Sequence, residues 1–275
     1  MRSCHTVLEP QKVLTFSHTK GGPNVERIIV TNDDGYQSMG IELLAEIATG
    51  ARFQTYVIAP EENHSGRAHS ISFGDLHVRR IASRGDQRWF AVKGTPVDCV
   101  RLGLSSYFDR SPLCVLSGIN LGWNLGRHVM TSATVAAARE AAAHGVPAIA
   151  FSASQHCSWD HVAPMIARHL DDWIAYAASR PGTYLNINLP EAATKQWRWT
   201  ALDARPVTMR VMNIQPSLLG DRIEYEWVDE GPLRVPGILG DREAVAEGLI
   251  SVTALHATQD DAAPFSDDNW DVSNG

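Results

Sequence analysis

The chain is expected to be an α/β protein built on a doubly wound, mostly parallel sheet, with a β-hairpin arm towards its C-terminus. Three observations predict this. Short apolar runs of strand length recur between residues 26 and 190, helical stretches alternate with them, and polar or glycine-rich segments follow directly where several runs end.

The first run, Ile28-Ile29-Val30-Thr31, is a buried strand closed by Asn32-Asp33-Asp34-Gly35. Ile41, Leu44, Ala45 and Ala48 then recur at helical spacing, with Ser38 as N-cap and Gly50 as the stop. Residues 55–60, 114–117 and 148–152 supply further strands. The alanine-rich stretch from Ser132 to His144 is the clearest helix, with Gly145 just past its end and Pro147 beyond. A second helix covers about residues 161–178, and a strand over 184–189 ends at Pro190. From Lys195 to Glu230 the chain is rich in Trp, Tyr and Arg and alternates polar with apolar residues, which predicts hairpins standing out from the core. One domain over 26–258 therefore carries its arm within about 195–256. Residues 1–25 read as a flexible extension and 259–275 as a disordered acidic tail, and there is no internal repeat.

With 275 residues, of which 44% are hydrophobic and 20% charged, the chain can bury a sizeable core. A net charge of -7 and a pI near 5.9 disfavour a general binder of long nucleic acids or of anionic membranes, while a local pocket for phosphate stays compatible. The N-terminus lacks a charged-then-apolar leader pattern and no apolar run is long enough to span a bilayer, so a cytoplasmic address is expected. The sequon Asn63-His64-Ser65 is set aside accordingly. Cys4, Cys99, Cys114 and Cys157 show no C-x-x-C spacing and read as reduced core residues.

The chemistry gathers after the strands. Asp33 and Asp34 sit at the carboxyl end of the first strand, where ligands collect in parallel sheets. Adjacent carboxylates in a poorly hydrated cleft repel unless a cation compensates them, and hard oxygen ligands select Mg²⁺, Mn²⁺ or Ca²⁺. In the loop 59–66, Ser65 offers a hydroxyl and Gly66 allows close backbone approach. The segment 117–126 spaces Gly118, Gly122 and Gly126 four residues apart, with Asn120 and Asn124 between them as donors to phosphate or ligands to a metal. It matches neither G-x-G-x-x-G nor a P-loop. Ser132, Ala133 and Thr134 open the alanine helix, whose unpaired N–H groups and dipole suit an anion. Ordinary turn residues and N-caps would account for each segment taken alone.

Together these motifs resemble the SurE family of metal-dependent 5′/3′-nucleotidases. The resemblance rests on residues 30–35, on Ala59-Pro60 followed by Ser65-Gly66, on 93–100, on Ser117-Gly118-Ile119-Asn120 with Gly122, Asn124 and Gly126, and on 132–138. Leu185 to Pro190, Asp241 to Val245 and Gly248 to Thr253 extend it, so that it covers about residues 26–256. It implies a Rossmann-like core and hydrolysis of nucleoside monophosphates with one divalent ion per subunit, Mg²⁺ or Mn²⁺, with Ca²⁺ able to occupy the site in crystals. The metal ligands would be Asp33, Asp34, Ser65 and Asn120, and the phosphate would be surrounded by Asn124, Ser132, Ala133 and Thr134. Asp33 or Asp34 would orient the attacking water or act as base. A covalent aspartyl-phosphate route fits adjacent carboxylates poorly. A homodimer or homotetramer formed through the C-terminal segment is implied as well.

The chain departs from the family pattern at three positions: His128 replaces an acidic residue, Ala133 a glycine, and Met39 a frequent proline. Arg127 and His128 thus place positive charge beside the Asn124 loop, which leaves open a phosphatase specialised for another small phosphomonoester. A non-catalytic nucleotide-binding protein is the third reading, and the four retained ligand types weigh against it.

Overall fold

The computed structural model describes residues 25–108, 111–203, 205–217, 220–229 and 237–258. The expected N-terminal extension, apart from Val25, lies outside them, as do Cys4 and the acidic tail.

Strands β1 (Arg27–Thr31), β2 (Gln54–Pro60), β4 (Gln87–Lys93), β5 (Cys114–Leu121), β6 (Ala148–Ala153) and β7 (Thr183–Leu189) run parallel in the order β4-β2-β1-β5-β6-β7. One edge is extended by β3 (His77–Arg84), antiparallel to β4. The other carries β11 (Ile250–His256), antiparallel to β7, and then β8 (Trp197–Trp199), parallel to β11. The period of two along each strand divides the core. Ile28, Val30, Val57, Leu116, Ile149, Phe151, Leu185 and Ile187 pack on one face, with α1 (Met39–Gly50) and α4 (Trp159–Ala178). Ile29, Ile58, Val115, Ala148 and Ala150 pack on the other, under α2 (Pro96–Leu104) and α3 (Ala133–Ala143). Both faces are covered, which is why the strands read as continuous apolar runs.

The chain leaves β1 for β2 on one side and returns to β5 on the other. That reversal opens a crevice at the carboxyl ends of β1 and β5. Helix α1 approaches it very closely, since a Cβ on Gly40 would lie 2.1 Å from the Ile119 carbonyl oxygen. Any side chain there would push the first turn of α1 off β5.

Several elements differ from the sequence expectation. Gly50 is the last residue of α1 rather than its stop, with Ala51 at the cap, and α4 starts at Trp159. The segments at both ends of the expected arm belong to the main sheet as β8 and β11; only β9 (Val207–Gln215) and β10 (Arg222–Asp229) form a separate antiparallel hairpin. A short helix α5 (Asp241–Ala246) precedes β11. Cys99 and Cys114 are buried free thiols, whereas Cys157 is only half-buried, in the turn before α4. Among the described residues, no helix is long and apolar enough to cross a membrane.

Candidate active site

Asn32, fully buried, shapes the turn that presents the two carboxylates. Its Nδ2 donates to the Gly35 carbonyl at 2.9 Å and to the Ser38 hydroxyl at 2.7 Å, and its Oδ1 accepts from the Gly35 N–H at 3.2 Å. Ser38 caps α1 in turn, so the turn is locked to the helix that follows. Asp33 is buried and its Oδ1 accepts from the Thr134 hydroxyl. Asp34 is half-buried, with the Asn63 side-chain amide 3.4 Å from its Oδ1.

Burial pushes the Asp33 carboxyl above its ordinary range, against the lowering effect of the Thr134 hydrogen bonds. Asp34 is pushed up to about 6, by burial first and by the Asp33 charge second. No arginine or lysine pairs with either carboxylate among the described residues. Among the charges around the pair, His64 is the one that favours the ionised Asp33, and a bound cation would favour ionisation of both carboxyls.

The donor set fits a hard divalent cation. No three His, Cys, Asp or Glu residues gather as a metal cluster among the described residues, so a metal would rest on two carboxylates and neutral oxygens. Ser65 stands on the exposed loop after β2, its N–H donating to Asn63 Oδ1 at 2.7 Å, and Gly66 follows at φ +73°. Asn120 is the penultimate residue of β5, and its Nδ2 donates to the Gly122 carbonyl at 2.7 Å, which leaves the amide oxygen as the end for a ligand. Two carboxylates, a hydroxyl and an amide oxygen are ligand types that Mg²⁺, Mn²⁺ and Ca²⁺ accept.

Asn124 is held from several directions. Its N–H donates to Asn188 Oδ1 at 2.8 Å, its carbonyl accepts from Asn186 and Asn188 at 2.8 and 3.2 Å, and its own Nδ2 donates to the Ser152 hydroxyl at 2.7 Å. One side-chain N–H remains for a substrate oxygen. Asp241, fully buried, fixes the next turn by accepting from the Gly126 N–H at 2.7 Å. Gly126 is at φ +53°, and a Cβ there would lie 2.6 Å from the Asp203 carbonyl oxygen. Asn186, Asn188 and Asp241 fall in segments that the sequence offered as part of the family resemblance, without a role; here they are supports. Buried asparagines inside an apolar strand were the available signal for two of them.

Ser132 is the N-cap of α3 and its hydroxyl accepts from the Val135 N–H. Ala133, fully buried, is the first helical residue, so its N–H has no partner inside the helix. Thr134, expected beside the phosphate, donates its hydroxyl to Asp33. Arg127 is exposed and His128 half-buried on the 3-10 turn Gly126–Met130, and the His128 carbonyl accepts from the N–H groups of Thr131 and Ser132. Trp123, between the two asparagines, is 37% exposed while its Nε1 donates to the Leu189 carbonyl.

Residues 28–209 match the family model described as Survival protein SurE. A 5′-nucleotidase SurE of Methylocella silvestris is 38% identical over 242 residues, covering 83% of this chain and 92% of the relative. Another 5′-nucleotidase SurE, from Beijerinckia indica, is 37% identical over 246 residues, again 83% of this chain and 90% of the relative. The crystal structure of the SurE protein from Aquifex aeolicus superposes with a TM-score of 0.72 at 32% identity, covering 86% of this chain and 95% of that one. On the extent of these matches, the chain belongs to the SurE family.

Proposed function

We propose that this chain is a divalent-metal-dependent phosphomonoesterase that hydrolyses nucleoside 5′- or 3′-monophosphates to nucleoside and phosphate. The observation that carries the reading is the Asp33–Asp34 pair at the β1/β5 crevice, adjacent carboxyls raised by burial and facing the start of α3 through Thr134. The relatives' name, 5′-nucleotidase, supports the same class.

Asp33, Asp34, Ser65 and Asn120 would hold the cation, which when bound supplies Lewis-acid polarisation of a phosphoryl oxygen and of water. The free N–H of the Asn124 amide and the backbone N–H of Ala133 then take up charge on the phosphoryl oxygens, helped by the positive end of α3. Thr134 keeps Asp33 oriented, and the bracing of Asn124 by Asn186, Asn188 and Ser152 holds its amide still while charge develops. Asp33 or Asp34 orients the attacking water.

A homo-oligomer held through the hairpin belongs to the same proposal. In β9 and β10, Met209 lies opposite Trp227, Val211 opposite Tyr225 and Ile214 opposite Ile223, and all six are at least 47% exposed. The intervening pairs are polar, Arg210 with Glu226 and Asn213 with Glu224. A bulge between Glu224 and Tyr225 keeps the apolar pairs in step. An isolated two-stranded hairpin is marginal in water, and this one offers an apolar ladder to a second copy.

The test is release of inorganic phosphate from nucleoside monophosphates and from other phosphomonoesters, with Mg²⁺, Mn²⁺ or EDTA. Asp33→Asn and Asp34→Asn are each expected to lower kcat by about 100-fold or more with the melting transition retained. Undiminished turnover by a folded variant, or by metal-free wild type, would refute the assignment. Preference for a non-nucleotide ester would favour the specialised phosphatase.

A further inference from the structure

The segment 61–76 between β2 and β3 carries Ser65 and Gly66 and has no helix or strand of its own. Ordering so long a loop is entropically costly, so whatever anchors it decides where Ser65 stands. Several hydrogen bonds do this. The His64 N–H donates to the Asp33 carbonyl at 2.7 Å and the Ala68 N–H to the Thr131 carbonyl at 3.0 Å. The Thr95 hydroxyl donates to the Ser70 carbonyl at 2.8 Å, and the Ser72 N–H to the Asp98 carboxylate at 3.1 Å. Ala68 is at φ +51°, a left-handed conformation that costs an alanine about 1–2 kcal/mol, so the surrounding contacts must impose it.

The next residue makes the strongest of these contacts. His69 Nδ1 lies 3.1 and 2.9 Å from the Arg139 guanidinium nitrogens, and His69 Nε2 lies 2.7 Å from Glu140 Oε2. A guanidinium only donates, so Nδ1 is the acceptor and the imidazole proton sits on Nε2, directed at the carboxylate. Glu140, 6% exposed at its side chain, also accepts from Arg101 Nε at 2.5 Å and meets His144 Nε2 at 3.1 Å. Arg139 and Glu140 lie on α3, the helix whose first turn holds Asp33 through Thr134. One rigid element thus contacts the carboxylate pair at one end and the Ser65 loop further along.

We propose that His69 is a positioning residue for the phosphoryl-transfer site: its neutral imidazole, bridging Arg139 and Glu140, clamps the 61–76 loop onto α3 and so sets Ser65 and Gly66 against Asp33 and Asp34. The clamp rests on the reading of Ser65 as a ligand given above. It acts on geometry and not on the chemical step.

The test compares wild type with His69→Ala and His69→Gln, since a glutamine side chain still offers one acceptor to Arg139 and one donor to Glu140. In amide hydrogen exchange without metal or substrate, His69→Ala is expected to speed exchange in 64–72 by about tenfold while α3 is unchanged. Mn²⁺ dissociation constant and KM should each rise by about tenfold, with kcat at saturating metal within about threefold of wild type. His69→Gln should recover most of each loss. Unchanged loop exchange in His69→Ala would overturn the clamp, and so would faster exchange with unaltered Mn²⁺ affinity and KM. A glutamine variant no better than alanine would do the same. Wild type that neither binds Mn²⁺ nor releases phosphate would instead overturn the proposed function, while the exchange measurement would still report separately on the loop.

Discussion

Asp33, Asp34, Asn120 and Asn124 could be nominated because several polar segments follow strands and together resemble one family's motifs, although turn chemistry would account for each segment alone. Their partners could not. Thr134 lies 101 residues from Asp33, and nothing along the chain distinguishes a threonine that binds phosphate from one that orients a carboxylate. Arg127 and His128 pose the same question for substrate choice, since they follow the braced Asn124-Leu125-Gly126 turn directly. An acidic side chain there would repel an anionic substrate, whereas Arg127 can pair with one bidentately and His128 can donate a ring N–H to it. His128→Asp and Arg127→Ala are each expected to lower kcat/KM more for a substrate with a second anionic group than for a simple monoester. The difference should be on the order of ~1–3 kcal/mol in transition-state binding. Equal losses on both substrates, measured side by side, would mean that the pair does not set substrate choice.

Helices α2 and α3 are joined by the Arg101–Glu140 pair, and that contact is expected to respond to pH. Burial alone would raise the Glu140 carboxyl, but hydrogen bonds from His69 and Arg101 outweigh it and hold the group at about 2, against an ordinary value near 4.5. A carboxylate depressed on folding contributes stability that is present above its unfolded value and lost as pH falls through its folded one. Here that window runs from about 4.5 down to about 2. The contribution is on the order of 2 kcal/mol once the half-exposed Arg101 is discounted. Thermal unfolding followed across that window should fall steeply for wild type and more gently for Glu140→Gln, which should start from a lower melting temperature at neutral pH. Parallel curves would show that other carboxylates dominate the acid transition. The alanine pattern predicted α3 with its cap at Ser132, because propensity and capping are local. The sequence reading does not single out β3, β4 or β11 as strands; β3 is largely exposed, so it does not read as an apolar run between turn signals.

The hairpin β9–β10 leaves Met209, Val211, Ile214, Ile223, Tyr225 and Trp227 exposed on a two-stranded sheet, and a second copy of the chain is their expected cover. In sedimentation velocity at micromolar concentration the wild type should run as a dimer or larger. Replacing 207–229 by a short Gly-Ser linker should give a monomer or an aggregate. A wild-type monomer under those conditions would contradict the assembly.

The alternation of apolar runs with helical periods was enough to specify a doubly wound sheet, because that pattern depends on local order along the chain, and the polar residues at the strand ends nominated a candidate site. Which strands neighbour one another was settled only in three dimensions. The order β4-β2-β1-β5-β6-β7 places the reversal between β1 and β5, and so brings Asp33 and Asp34 to the same crevice as Asn120 and Asn124. The contacts that fix the site, Thr134 on Asp33, Asn188 on Asn124, Asp241 on Gly126 and Glu140 on His69, join residues 64 to 115 positions apart. Hydrogen bonds over such separations leave no periodicity in a sequence, since each needs only one donor, one acceptor and a fold that brings them within about 3 Å.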